Sequence, residues 1–174
     1  MTTSSQPIFL VEDNEMYLKT LERHLKEHLD TNAMIRTFSN GEECLKNMHL
    51  EPKIVVLDYY LNSLLPKAMD GLETLKKIKT MKPDTMVLML SNQDNVQVAT
   101  DTMKYGAFDY VSKNENAFLR VQNSINNIEK IITQSTAIKT GKQVRRVLIG
   151  WIILLIAIII ILQLFFPNLM NRNI

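Results

Sequence analysis

The sequence predicts an α/β domain, a doubly wound five-stranded parallel sheet, followed by one C-terminal transmembrane helix. Three observations predict this. Apolar runs of strand length alternate with segments of helical periodicity between residues 7 and 132. The central runs KIVVLD and TMVLMLS are apolar at successive positions, as strands covered on both faces are. Val147 to Phe166 (VLIGWIILLIAIIIILQLFF) is twenty residues long and carries no charge.

PIFLVE is the first strand. Asn14 to Leu29 is a helix, with Leu18, Leu21, Leu25 and Leu29 on one face. AMIRTF is the second strand, and Asn40-Gly41 turns into a short helix that ends near Met48. KIVVLD is the third strand, followed by a loop and a helix from Asp70 to Met81 that Lys82-Pro83-Asp84 breaks. TMVLMLS is the fourth strand, and a helix from Asn95 to Lys104 ends at Tyr105-Gly106. AFDYV is the fifth strand. The last helix begins near Asn114 and repeats Phe118, Val121, Ile125, Ile128 and Ile132 at helical spacing.

These segments divide the chain into a disordered N-terminus (residues 1–6), an α/β domain (7–132), a basic linker (133–146), the span (147–166) and a short tail (167–174). At a rise of 1.5 Å per residue the span measures roughly 30 Å, the thickness of a bilayer's hydrocarbon core. Sixteen of its residues are Ile, Leu, Val or Phe, so insertion is favoured by several kcal/mol. A core helix in a small domain shows a polar outer face, which this segment lacks. Its C-terminal position excludes a signal peptide. Through Ile138 there are 15 Lys plus Arg against 18 Asp plus Glu, and the remaining five basic residues face no acids. Lys139, Lys142, Arg145 and Arg146 precede the span, and only Arg172 follows it. That asymmetry predicts a single-pass protein of the bacterial inner membrane with its N-terminal domain in the cytoplasm. The basic cluster suits anionic lipid, so the pI of 8.6 is no argument for nucleic acid. The lone Cys44 excludes an internal disulfide. Lys76, Lys77, Lys79 and Lys82 read as a solvated helix face, and so do His24 and His28, which lack an evident third ligand.

In open α/β sheets the working site lies at the carboxyl ends of the strands. The first strand here ends in Glu12-Asp13, the third in Asp58 and the fourth in Ser91, and Lys113 follows the fifth. Clustered carboxylates repel by a few kcal/mol per pair, a cost that a hard cation such as Mg²⁺ removes. Asp58 is then a carboxylate nucleophile toward phosphorus, with Ser91 and Lys113 as hydroxyl donor and fixed cation for phosphoryl oxygens.

FLVEDN, VVLD, DGLETL, MLSN and GAFDYVSK, in this order, resemble the signature segments of the two-component response-regulator receiver domain, a flavodoxin-like (βα)5 fold. The resemblance covers about residues 7 to 132. It implies that Asp58 is the phosphoacceptor, taking a phosphoryl group from a histidine kinase or histidine phosphotransfer protein. It implies Mg²⁺ held by Glu12, Asp13, Asp58 and the backbone carbonyl of Tyr60. Ser91 and Lys113 would hold the phosphoryl, and Tyr110 would be the aromatic switch. The face around the fourth helix, fifth strand and fifth helix would meet a downstream protein.

The sequence departs from the family pattern in a longer segment between Asp58 and Asp70-Gly71, and in Asn92 after Ser91. It is also expected to carry no DNA-binding or enzymatic output domain. Two other readings stand beside the membrane-anchored receiver, which is not a turnover enzyme. One is a degenerate receiver kept as a tethered scaffold. The other is an aspartate-nucleophile phosphohydrolase, which needs a second acid two residues after the nucleophile, where this chain has Tyr60.

Overall fold

A computed structural model describes residues 7–29, 33–61, 68–92 and 96–165, without the side chains of 135–147 and 159–165. The chain divides into two units, Met1–Ile128 and Glu129–Ile174.

The first unit carries five strands, β1 (Ile8–Val11), β2 (Ile35–Phe38), β3 (Ile54–Asp58), β4 (Met86–Ser91) and β5 (Asp109–Ser112). All neighbours pair in parallel, in the order β2-β1-β3-β4-β5. The expected five-stranded parallel sheet is therefore present. Its strand order reverses direction between β1 and β3, the place where such sheets bind ligands.

The helices are α1 (Glu15–His28), α2 (Gly41–Lys46), α3 (Gly71–Met81), α4 (Val96–Lys104) and α5 (Ala117–Phe165). Three start on side-chain caps. Asn14 accepts from the Tyr17 backbone N–H, Asn40 from that of Glu43 and Asp70 from that of Glu73. β1, β3 and most of β4 are buried at every position. Their side chains alternate between two layers. Phe9, Val11, Val55, Leu57, Val87 and Met89 join Phe38, Cys44, Met48, Leu75 and Ile78 in one core. Ile8, Leu10, Ile54, Val56, Leu88 and Leu90 point the other way, and Leu21, Leu25, Val121, Ile125 and Ile128 are also buried.

The described part of the second unit is the remainder of α5. Its helical backbone runs on through Thr140-Gly141, although the glycine lowers helix propensity there. A helical glycine costs only about 1 kcal/mol, and no proline interrupts the backbone bonds. Leu148, Ile149, Trp151, Ile152, Ile153, Leu154, Leu155, Ile156 and Ile158 are all exposed. Among the described residues no helix is long and apolar enough to cross a membrane. The expected span falls partly outside them, at Phe166 and at the side chains of Val147 and 159–165. The expected N-terminal tail (1–6) and C-terminal tail (167–174) lie wholly outside the described residues.

Candidate functional site

Parallel pairing sets the carboxyl ends of β1, β3, β4 and β5 side by side, and the chemistry gathers there. Glu12 and Asp13 follow β1, Asp58 closes β3, Ser91 closes β4 and Lys113 follows β5. Backbone bonds fix this rim. The Lys113 N–H donates to the Ser91 carbonyl at 2.7 Å, and the Tyr59 N–H to the Leu90 carbonyl at 2.7 Å. α3 starts hard against the end of β3, where the Gly71 N–H donates to the Tyr59 carbonyl at 3.1 Å. A Cβ on Gly71 would collide with the Asp58 carbonyl oxygen, so only glycine fits this approach.

The described residues lining the cleft, of about 330 Å³, are Glu12, Asp13, Asn14, Tyr17, Asp58, Tyr60, Asn92 and Lys113. Glu12, Asp13 and Asp58 offer carboxylate oxygens within 4.8 Å of one another. Glu12 and Asp58 are each 2% exposed and Asp13 is half-buried, so the repulsion acts in a poorly screened place. Lys113 answers it. Its ammonium lies 2.6 Å from Glu12 Oε2 and 2.8 Å from Asp58 Oδ2, with its side chain 6% exposed. The contact with Glu12 is a close, buried ion pair. The Tyr60 N–H donates to Asp58 Oδ1 at 3.3 Å, and the Asn14 N–H to Glu12 Oε1 at 3.3 Å.

One lysine against three acids leaves the cleft short of positive charge. Burial, and then the Asp58 carboxylate, push the Glu12 carboxyl up to about 7, although Lys113 pulls it back. An all-oxygen, electron-rich, buried donor set of this kind fits a hard divalent cation.

Tyr17 from α1 and Asn14 from its cap join the site without having been singled out for it in the sequence. The signal was present, since Tyr17 lies four residues, about one helical turn, past Asp13. The Lys113 ammonium sits 4.7 Å from the centre of the Tyr17 ring. Burial, then the charges of Glu12 and Asp58, raise the Tyr17 phenol well above its ordinary value, so it stays protonated. Ser91 is wholly buried and is not among the described lining residues, where its neighbour Asn92 stands instead. Tyr110 is half-buried and packs against the core. Tyr60 lines the cleft, with its ring edge-on to Tyr59 at 4.8 Å. The longer loop after Leu61 lies outside the described residues at 62–67, and its far end is tied down where Glu42 Oε1 accepts from the Met69 N–H at 2.8 Å. His24 and His28 stack on each other at 4.3 Å, and His24 bonds Gln122 at 3.1 Å, with no metal-holding group around them among the described residues.

The response regulator receiver domain family matches residues 8–122, more than half of the chain. The chain belongs to that family. This receiver is 30% identical over 105 residues to the chemotaxis protein CheY of Listeria monocytogenes, covering 60% of this chain and 83% of that protein. It is 29% identical over 128 residues to the uncharacterized transcriptional regulatory protein YesN of Bacillus subtilis, covering 73% of this chain and 32% of that protein. It is 28% identical over 112 residues to a protein-glutamate methylesterase/protein-glutamine glutaminase of Clostridium acetobutylicum, covering 63% of this chain and 31% of that protein. The chain thus spans about a third of the length of the latter two. The BeF3-activated receiver domain of DrrB, a Thermotoga maritima protein, matches with a TM-score of 0.60 at 25% identity, over 72% of this chain and 98% of that one. The signal receiver domain of a Luxo repressor protein from Vibrio parahaemolyticus matches at 0.66 with 21% identity, over 77% and 97%, which speaks for the fold alone. The chain is therefore a receiver domain of the two-component type with an acidic cluster at the family's phosphorylation site.

Proposed function

We propose that this receiver accepts a phosphoryl group on Asp58 from a histidine kinase or histidine phosphotransfer protein, while held at the inner membrane by Val147 to Phe166. It passes the signal on by protein–protein contact through the face of α4, β5 and the start of α5. The observation that carries the phosphoryl reading is the meeting of Glu12, Asp13, Asp58 and Lys113 in one cleft.

In the proposed transfer a carboxylate oxygen of Asp58 attacks phosphorus, and the leaving group departs with the electron pair of the broken bond. The product is an acyl phosphate. Lys113, already 2.8 Å from Asp58 Oδ2, is placed to follow the charge from the carboxylate onto the phosphoryl oxygens. Glu12, Asp13 and Asp58, with the Tyr60 backbone carbonyl, would hold a Mg²⁺ ion. Such an ion supplies the positive charge that the three carboxylates and the phosphoryl lack. The Ser91 hydroxyl and the Tyr110 ring are assigned the switching roles of the family.

The anchor reading is supported by the sequence and by the ring of exposed apolar side chains from Leu148 to Ile158, which leaves the helix no polar face. The basic residues before the span favour a receiver on the cytoplasmic side.

Incubation with Mg²⁺ and acetyl phosphate tests the central claim. The expected result is a persistent acyl phosphate on Asp58. Rapid turnover of the donor would favour a phosphohydrolase, and the absence of reaction a binding scaffold.

Asp13→Ala is expected to weaken Mg²⁺ binding by at least about tenfold, since even outer-shell partners of a metal are worth that much. Thermal melting checks it. Mg²⁺ at ten times its Kd stabilises the wild type by about 1.4 kcal/mol, and the variant at the same concentration should gain about 0.4 kcal/mol or less. Equal gains in both proteins would remove Asp13 from the site.

Tyr60→Asn is expected to speed loss of the phosphoryl several-fold. An acyl phosphate decays by in-line attack of water, and a bulky ring lining the cleft restricts the water's approach. The comparison is of decay rates after the donor is removed. A variant that decays at the wild-type rate would show that Tyr60 shields nothing.

A further inference from the structure

We infer that Tyr17 is a further binding residue of the acidic cleft, its ring bracing the Lys113 ammonium and its hydroxyl donating to an oxygen of the anionic group the cleft takes up. This rests on the receiver reading and deepens it.

Tyr17 is fixed in the lining of the cleft by two restraints. Its backbone N–H donates to the Asn14 cap at 3.1 Å, which sets the first turn of α1. Its ring meets Phe118 edge-on, with centroids 5.1 Å apart and planes at 70°. Held there, the ring face receives the Lys113 ammonium at 4.7 Å, within range for a cation–π contact. Lys113 thus has a neutral partner that it keeps when a carboxylate partner changes. If Lys113 turns from Asp58 toward a phosphoryl oxygen, the ring limits how far the ammonium travels.

The hydroxyl is the more telling group. Its oxygen is buried and makes no hydrogen bond among the described residues. A buried hydroxyl without a partner is destabilising, and a phenylalanine would brace the lysine equally well without that cost. The residue lines the same cleft as Asp58 and Lys113. The acceptor that would satisfy the phenol is therefore one that arrives with the ligand. A phosphoryl group brings three oxygens, of which Lys113 engages only some, and a neutral O–H donor accepts the approach of an anion readily.

The test uses the full chain, Mg²⁺ and radiolabelled acetyl phosphate, and compares initial labelling rates of the wild type, Tyr17→Phe and Tyr17→Leu. Tyr17→Phe keeps the ring and should melt at or above the wild-type temperature, yet label about tenfold more slowly, as expected for losing one hydrogen bond to a charged group. Tyr17→Leu should be slower still, because it loses the brace as well. Labelling of Tyr17→Phe at the wild-type rate would overturn the role of the hydroxyl, and equal rates for Phe and Leu would overturn that of the ring. A wild type that takes no label would instead overturn the reading of Asp58 as phosphoacceptor.

Discussion

Asp58→Asn is expected to abolish labelling by acetyl phosphate while leaving the domain folded. The amide has the shape of the carboxylate but is no nucleophile toward phosphorus. Asp58 lies 2% exposed at the end of β3, hydrogen-bonded to the Tyr60 N–H and paired with Lys113. Losing its charge has two opposed effects on stability. Lys113 gives up one ion-pair partner but keeps Glu12 at 2.6 Å. Glu12 meanwhile is relieved of the neighbouring charge that, after burial, does most to push its carboxyl up to about 7. The two effects oppose each other, and Lys113 keeps a carboxylate partner, so the domain should stay folded. Mass spectrometry of the labelled chain and thermal melting check both halves. Undiminished label on Asp58→Asn would place the acceptor elsewhere.

Ending the chain after Ile138 is expected to move the protein wholly from the membrane fraction to the soluble one, with phosphorylation retained. The segment removed contains nine exposed large apolar side chains between Leu148 and Ile158, and the sequence continues apolar to Phe166. The full chain should resist extraction by alkaline carbonate, since many apolar residues each favour the bilayer by about 0.3–0.6 kcal/mol. Protease added outside intact cells should leave the receiver uncut. Full-length protein in the soluble fraction would overturn the anchor, and a truncated chain that stays with the membrane would place the contact in the receiver instead.

Much of the fold was legible before any coordinates. Unbroken apolar runs such as IVVL in β3 announce burial on both faces, and the helices expected from Asn14 and Asp70 each start one residue later, with those residues as their caps. Strand ends then put Glu12, Asp13, Asp58 and Lys113 on one rim, because parallel strands all point the same way. The helix running through Gly141 was harder to read. Propensity is a weak guide there, where one glycine stands among residues that tolerate helix.

Sequence by itself therefore determined the parallel α/β class, the strand-end acids and lysine, and the division between a polar domain and an apolar tail. These follow from periodicity and composition, which are local. Tertiary structure alone decided which groups touch. It set Lys113 between Glu12 and Asp58, turned the ring of Tyr17 toward that lysine, buried Ser91 and left Asn92 at the cleft. It also raised Glu12, a shift that burial and a carboxylate 46 positions away in the chain produce together. Such effects depend on distance and dielectric between residues remote in sequence, and neither quantity exists until the sheet has brought its strand ends side by side.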